Sequence, residues 1–278
     1  MKKKKNYFPA IDGLRLMASI NIVLLHLASS SAFDYAAKWT WLKPIVSGPA
    51  FSAGLFFVLA GFLFASKFSD PDRRIAVLPF VFSRISKLYR LHFICTILMF
   101  AAIAVKIGGI DKMEHPIRSL LLHLSLLWSL VPDLGMKLNE PSWALTGFFI
   151  CYALTPWTTK KLFKIESVKV LWFLFFLVFV PGVIQGWIFG SHDFLNDADY
   201  ARRFRFFHMF PVIHICEYFF GMIIFRLYQK KQFVFLEKNY VAGFCQLFLF
   251  VALYIVCYLS QNSVSDPRLY FIVRHSPT

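Results

Sequence analysis

Acidic residues are scarce in this chain of 278 residues, with 15 Asp and Glu against 30 Lys and Arg. In a soluble domain the resulting formal charge of +15 would point to nucleic acid. Here apolar residues make up 58% of the chain, aromatics 19%, and Phe alone occurs 34 times, which argues for a lipid bilayer as partner and no nucleic acid. Long polar stretches are missing too. The longest connection, 191–208, is too short for a soluble domain, and there is neither an internal repeat nor a low-complexity linker. Cysteine is limited to Cys95, Cys151, Cys216, Cys245 and Cys257, all inside apolar runs and without the spacing of metal ligands. They read as small buried hydrophobes, and no metal site is expected.

What is present is a series of apolar runs of about the length that spans a bilayer, near 11–31, 45–66, 88–108, 142–158, 169–190, 209–228 and 240–260. A shorter run at 117–131 either crosses or forms a tilted or re-entrant helix covered by its neighbours. The expected fold class is all-α, a polytopic integral membrane bundle of 7–8 transmembrane helices forming a single domain over 1–278. Basic residues cluster in the connections: residues 2–5; Arg73, Arg74, Arg84, Lys87 and Arg90; Lys160, Lys161, Lys164 and Lys169; and Arg226, Lys230, Lys231 and Lys238. The positive-inside rule puts such clusters, and with them the N-terminus, on the cytoplasmic side of a multi-pass protein of the cell membrane. The lysines, apolar stretch and small residues at 28–32 also resemble a cleavable secretory signal. Asp12, Arg15 and His26 fit an h-region poorly, so the first helix is expected to remain.

That first helix holds the most informative pattern. Arg15 and His26 fall on nearly the same helix face, about 16 Å apart along the axis. Almost only apolar residues lie between them, broken by Ser19 and Asn21. Ionisable groups in such a segment are costly in lipid and are expected to face a protein interior or a wet cavity. Imidazole titrates near neutrality and moves protons to or from an attacking hydroxyl, so His26 is the candidate catalyst. A core histidine bonded to a neighbouring helix is the other reading of the same residue. Asp12 either pairs with Arg15 or is a carboxylate stabilised by the helix dipole.

Arg84, Lys87 and Arg90 form a basic ladder where the second loop enters the third helix. They suit either the phosphates of a nucleotide-bearing donor or lipid headgroups. Asn139 and Trp143 flank Pro141, which reads as a helix-start signal with an interfacial tryptophan. Glu217, three residues after His214 in an apolar helix, is a buried carboxylate beside an imidazole that pairs structurally or lines a passage. Pro181, Gly182 and Pro211 read as kinks.

Five blocks, in order, resemble the membrane-bound acyltransferase-3 family. IDGLRLMASINIVLLH at 11–26 matches its basic residue, ten spacers and histidine. FFVLAGFLF at 56–64 resembles its Phe-Phe-x-x-Ser-Gly-Phe signature, with Ala60 for the serine. FVFSRISKLYRLH at 80–92 resembles its Phe-x-x-x-Arg-x-x-Arg-x-x-Pro element, with Lys87 as the second basic residue and Arg90 in place of the proline. NEPSWALTGFFICYALTP at 139–156 follows its Asn-x-Pro-x-Trp-Ser-Leu block, and EYFFGMIIFRL at 217–227 its Glu-Phe-x-x-Gly helix. The family commonly has a glutamate where this chain has Phe148, and its members continue for further helices, so the chain reads as C-terminally incomplete relative to them.

The resemblance implies an O-acyltransferase with no bound cofactor. It would move an acyl group, most often acetyl, from cytoplasmic acyl-CoA to a hydroxyl of an extracytoplasmic cell-envelope glycan. It implies catalytic roles for His26, with Arg15 and Asp12, donor binding by Arg84, Lys87 and Arg90, and pocket roles for Asn139, Trp143 and Glu217. A transporter or non-catalytic membrane protein would use similar intramembrane charges, but the chain has no paired halves.

Overall fold

A bilayer interior supplies no hydrogen bonds, so an apolar chain satisfies its backbone within helices. The computed structural model describes residues 8–28, 51–70, 75–131, 138–189 and 209–237, with isolated positions at 248 and 251, and every regular element among them is helical. The α-helices are α1 (Pro9–Ala28), α2 (Phe51–Lys67), α3 (Val77–Ile107), α4 (Pro116–Leu124), α5 (Trp143–Phe163), α6 (Val168–Leu177), α7 (Val180–Phe189) and α8 (Pro211–Gln229). Among the described residues, α3 and α8 are both long and apolar enough to cross a membrane, whereas Ser52–Lys67 and Val168–Ile184 are apolar but shorter. The run expected at 240–260 lies almost wholly outside the described residues.

Three expected segments are redrawn. Helix α3 begins at Val77 rather than 88, and its 31 residues extend about 46 Å, well beyond a hydrocarbon core of about 30 Å. Its first turns carry Arg84 and Lys87 ahead of the apolar run expected from 88, with Arg90 just inside it. The run 169–190 is two short helices, broken at 178–179. Pro181 has no N–H to return to the carbonyl four residues back, which loosens the ladder there. The run 117–131 is the nine-residue α4 followed by a 3-10 turn at Trp128–Leu130, so no continuous helix crosses at that point.

Helices α3, α4 and α8 end with the same left-handed cap. In α3 the N–H of Gly109 reaches the carbonyl of Ala104 and that of Gly108 the carbonyl of Val105, with Gly108 at φ 84°. In α4, Leu127 bonds to Leu122 and Leu126 to His123; in α8, Gln232 bonds to Leu227 and Lys231 to Tyr228. This pairing satisfies carbonyls that the helix end would otherwise orphan. Only α3 uses glycine at the left-handed position. Leu126 and Lys231 hold φ 59° and 56° there, which costs an L side chain about 1–2 kcal/mol.

The chain forms two compact units, neither continuous in sequence. Unit 1 draws on Met1–Pro71, Thr159–His192 and Cys216–Thr278, and unit 2 on Asp72–Thr158 and Asp193–Ile215. In unit 1, α1 packs on α2. Phe8 meets Phe62 of α2 and Phe225 of α8 edge-on, with centroids at 5.1 and 6.5 Å. Helices α2 and α8 cross at backbone contact: a Cβ on Gly61 would fall on the Tyr218 carbonyl, and one on Gly221 on that of Val58. Small residues permit such an approach, as in membrane helix pairs generally. Unit 2 packs α3 against α4, with Tyr89 donating to the Leu124 carbonyl at 2.9 Å, and joins α3 to α5 through Phe80 and Tyr152 at 6.3 Å.

Adding one methyl group at the α2–α8 crossing should therefore be costly. Gly61→Ala and Gly221→Ala are each expected to lower stability by roughly 1–3 kcal/mol through forced separation of the helices. Gly13→Ala, where a Cβ would meet nothing within 4 Å, should leave stability unchanged or slightly raised. Thermal unfolding of the three purified variants in detergent checks the contrast.

Candidate active site

The residues singled out in the sequence fall in both units. Asp12, Arg15 and His26 all lie on α1 in unit 1. Their helical register is as expected, but all three side chains are exposed, rather than turned into a protein interior. The buried side of α1 is carried by Ile11 and Ala18 instead. Nor do Asp12 and Arg15 form an ion pair; no described residue bonds to either side chain, and the carboxylate stands in the helix's first turn, where the dipole favours it. Arg15 does contribute its carbonyl, which accepts from Ser19 Oγ at 2.9 Å. The stretch 29–50, next in the chain after His26, lies outside the described residues.

In unit 2 the ladder of Arg84, Lys87 and Arg90 stands on the first half of α3. Arg84 is half-buried with its guanidinium 5.9 Å from the centre of the Phe80 ring, while Lys87 and Arg90 are exposed and form no ion pair among the described residues. Two exposed cations one turn apart on a helix can meet an anionic group.

Asn139 and Trp143 belong to a buried polar hub that sequence reasoning did not anticipate. Its centre is His92 of α3 and His123 of α4, which are 3% and 0% exposed. His92 Nε2–H donates to the His123 carbonyl at 2.9 Å, and His123 Nδ1–H to the Ser119 carbonyl at 2.8 Å. The N–H of Leu138 donates to His123 Nε2 at 3.2 Å, so that nitrogen carries no proton and the ring is neutral. His92 Nδ1 faces the Asn139 amide nitrogen at 3.4 Å, and that same nitrogen reaches Thr96 Oγ1 at 3.5 Å. Trp128 stacks on His123 with centroids at 4.8 Å and donates to Ser142 Oγ at 2.7 Å, which donates in turn to the Asn139 carbonyl at 2.6 Å. Both imidazoles have their nitrogens engaged. The hub holds the 138–143 segment in place; it is not a free base.

Trp143 lies against His214 with ring centres 4.5 Å apart, joining the start of α5 to the start of α8. Phe148, where the family commonly has glutamate, stacks on Tyr152 at 5.7 Å, an aromatic contact that replaces a charged group. In unit 1, Glu217 is 6% exposed and its carboxylate occupies the space a Cβ on Gly54 would need. Gly54 and Glu217 are thus matched in volume across the α2–α8 crossing. The signal for the hub was available: His92 and His123 are imidazoles in apolar runs, the pattern that drew attention to His26.

Every regular element among the described residues is helical, and two of these helices are long and apolar enough to cross a membrane. The sequence profile described as an acyltransferase domain, that of the acyltransferase-3 family, matches residues 8–276, and the chain belongs to that family. The match begins at α1, the helix of Arg15 and His26. The chain is similar to the acyltransferase MdmB of Streptomyces mycarofaciens, with 28% identity over 168 residues, or 59% of this chain. That match spans 42% of the relative's length. No solved structure matches the chain.

If the hub is a single hydrogen-bonded unit, its members should couple. Trp128→Phe keeps the ring on His123 but removes the donor, and Ser142→Ala removes the hydroxyl that links it to Asn139. A double-mutant cycle on thermal stability is expected to show a coupling of at least about 0.5 kcal/mol, whereas additive effects would mean independent contacts.

Proposed function

We propose that this protein is a multi-pass membrane O-acyltransferase that takes an acyl group from cytoplasmic acyl-CoA and passes it to a hydroxyl of an extracytoplasmic glycan. The observation that carries this reading is the acyltransferase-domain match over residues 8–276, which opens on the helix bearing Arg15 and His26. The N-terminus lies in the cytoplasm, in keeping with the lysines at 2–5, and the acyl group is acetyl, the commonest choice in the family.

The chemistry follows from where the groups can act. A thioester donor bearing phosphates cannot cross lipid, whereas the acyl group at its uncharged end can reach into a helical bundle. Lys87 and Arg90, exposed and without ion-pair partners among the described residues, meet the donor's phosphates together with Arg84. His26 acts in one of two ways. As a general base it takes the proton of the acceptor hydroxyl while that oxygen attacks the thioester carbonyl; the C–S bond breaks and the thiolate leaves, to be protonated by the imidazolium. As a carrier, its nitrogen attacks the thioester carbonyl and the C–S bond breaks, the imidazole proton going to the departing thiolate; the sugar oxygen then takes the acyl group and its proton returns to the imidazole. Both use the neutral imidazole. Arg15 sets a positive charge on the same face, and Asp12 balances it one turn earlier. Asn139 and Trp143 act by holding the buried turn before α5, and Glu217 by lining the α2–α8 crossing.

His26→Ala is expected to abolish acyl transfer to cell-envelope glycan while the protein accumulates normally. An unchanged level of acylated glycan at normal abundance would remove His26 from the reaction. For the donor, Arg84→Gln with Lys87→Gln should weaken acyl-CoA binding about tenfold or more at low salt, with the loss shrinking at high salt as exposed charges are screened. Equal binding by the double variant and wild type at low salt would leave the ladder as a lipid anchor only.

A further inference from the structure

One end of unit 1 carries more cations than its own contacts use. The turn between α5 and α6 contains Glu166, which pairs with Arg226 at 3.0 Å and with Lys230. Arg226 also donates to the carbonyls of Phe163 and Ile165, at 3.0 and 3.1 Å, closing the C-terminal end of α5. Lys230 and Arg226 together hold the Glu166 carboxyl below the ordinary glutamate value, first through the hydrogen bond from Lys230. These bonds tie the end of α8 to the end of α5. They thereby gather Lys160 and Lys161 of α5, Lys164 in the turn after it, Lys169 of α6 and Lys231 after α8 at one end of the unit. All five lysines are exposed, and no described residue bonds to their side chains.

Two further observations say what these lysines meet. Helix α8 has 19 residues, about 28 Å, close to a hydrocarbon core of about 30 Å, so that with α8 spanning that core Lys230 and Lys231 fall at headgroup depth. Beside them Tyr228, Val234 and Phe235 expose 49%, 48% and 56% of their surface, apolar neighbours that a soluble polyphosphate has no use for. Lys231 also occupies the left-handed cap position that glycine fills more easily, at φ 56°. A strained lysine at that place is understandable where its charge is used.

We propose that this end of unit 1 is a headgroup site for anionic phospholipid, with lipid phosphates held by Lys160, Lys161, Lys164, Lys169 and Lys231 and the first acyl carbons resting on Tyr228, Val234 and Phe235. The site is separate in sequence from the ladder of Arg84, Lys87 and Arg90, and rests on the membrane setting of the proposed function but not on acyl transfer. The ammonium groups act as point charges, so the site selects for charge rather than for one headgroup.

The test uses the full chain, released from vesicles of mixed phosphatidylcholine and phosphatidylglycerol, with retained lipid counted by native mass spectrometry. Wild type should keep phosphatidylglycerol in preference to phosphatidylcholine, and replacing all five lysines by Gln should abolish that preference. A single Lys231→Gly change should split two readouts. Retention of phosphatidylglycerol should fall about fivefold at low salt, while the melting temperature in phosphatidylcholine rises as the backbone strain is relieved. Equal retention of the two lipids by wild type would overturn the proposal, as would unchanged preference in the five-lysine variant. So would release of phosphatidylglycerol by soluble coenzyme A or inorganic pyrophosphate, which would make this a soluble-phosphate site. Acyl transfer is not read, so failure of the enzymatic reading leaves these outcomes intact.

Discussion

An interior without water obliges every backbone amide, and every polar side chain placed there, to find its partner within the chain, and most features of this protein answer that demand. The backbone is satisfied in helices, and three helix ends turn their last carbonyls back through left-handed caps even where a leucine or a lysine must adopt the strained geometry. Hydroxyls bond to carbonyls of their own helices, as Thr155 does to Cys151 at 2.8 Å and Thr158 to Leu154 at 3.0 Å near Pro156, whose missing N–H leaves α5 short of one bond. Arg226 serves the end of α5 in the same way.

The same demand separates two kinds of histidine. His92 and His123 are buried, and carbonyls and amides fix which nitrogen holds the proton. Their rings are building material. His26 is exposed on α1, with neither nitrogen engaged by a described residue. An imidazole that moves a proton or an acyl group needs a nitrogen free to do so; both nitrogens of His92 and of His123 are already engaged.

Much of the helical plan was legible. Apolar runs mark α1, α2, α5 and α8 to within a few residues because a span must be continuously apolar and about 20 residues long. Helix α3 was cut short at 88 because its first turns are basic, and charge ends an apolar run without ending a helix. Two short helices at 168–189 read as one span because hydropathy is insensitive to a single missing N–H at Pro181. Among the candidate residues, the Arg15 and His26 register was legible since helical geometry is local. The exposure of that face, and that Asp12 and Arg15 do not pair with each other, were not.

Composition and periodicity by themselves determined the helical class, the apolar setting and the shared face of Arg15 and His26, because these depend only on the order of residues along one helix at a time; the family was marked by the resemblance of five motif blocks. Tertiary structure decided which polar groups meet. The hub joins His92, His123, Asn139 and Ser142 across α3, α4 and the turn before α5. Gly61 and Gly221 become indispensable only where α2 and α8 touch, and Glu166 becomes the anchor of a lysine-rich end only once α8 returns beside α5. Side chains far apart in sequence carry no mark of their future neighbour; the distances between helices are set by packing, and packing is where hydrogen-bond partners and close contacts are chosen.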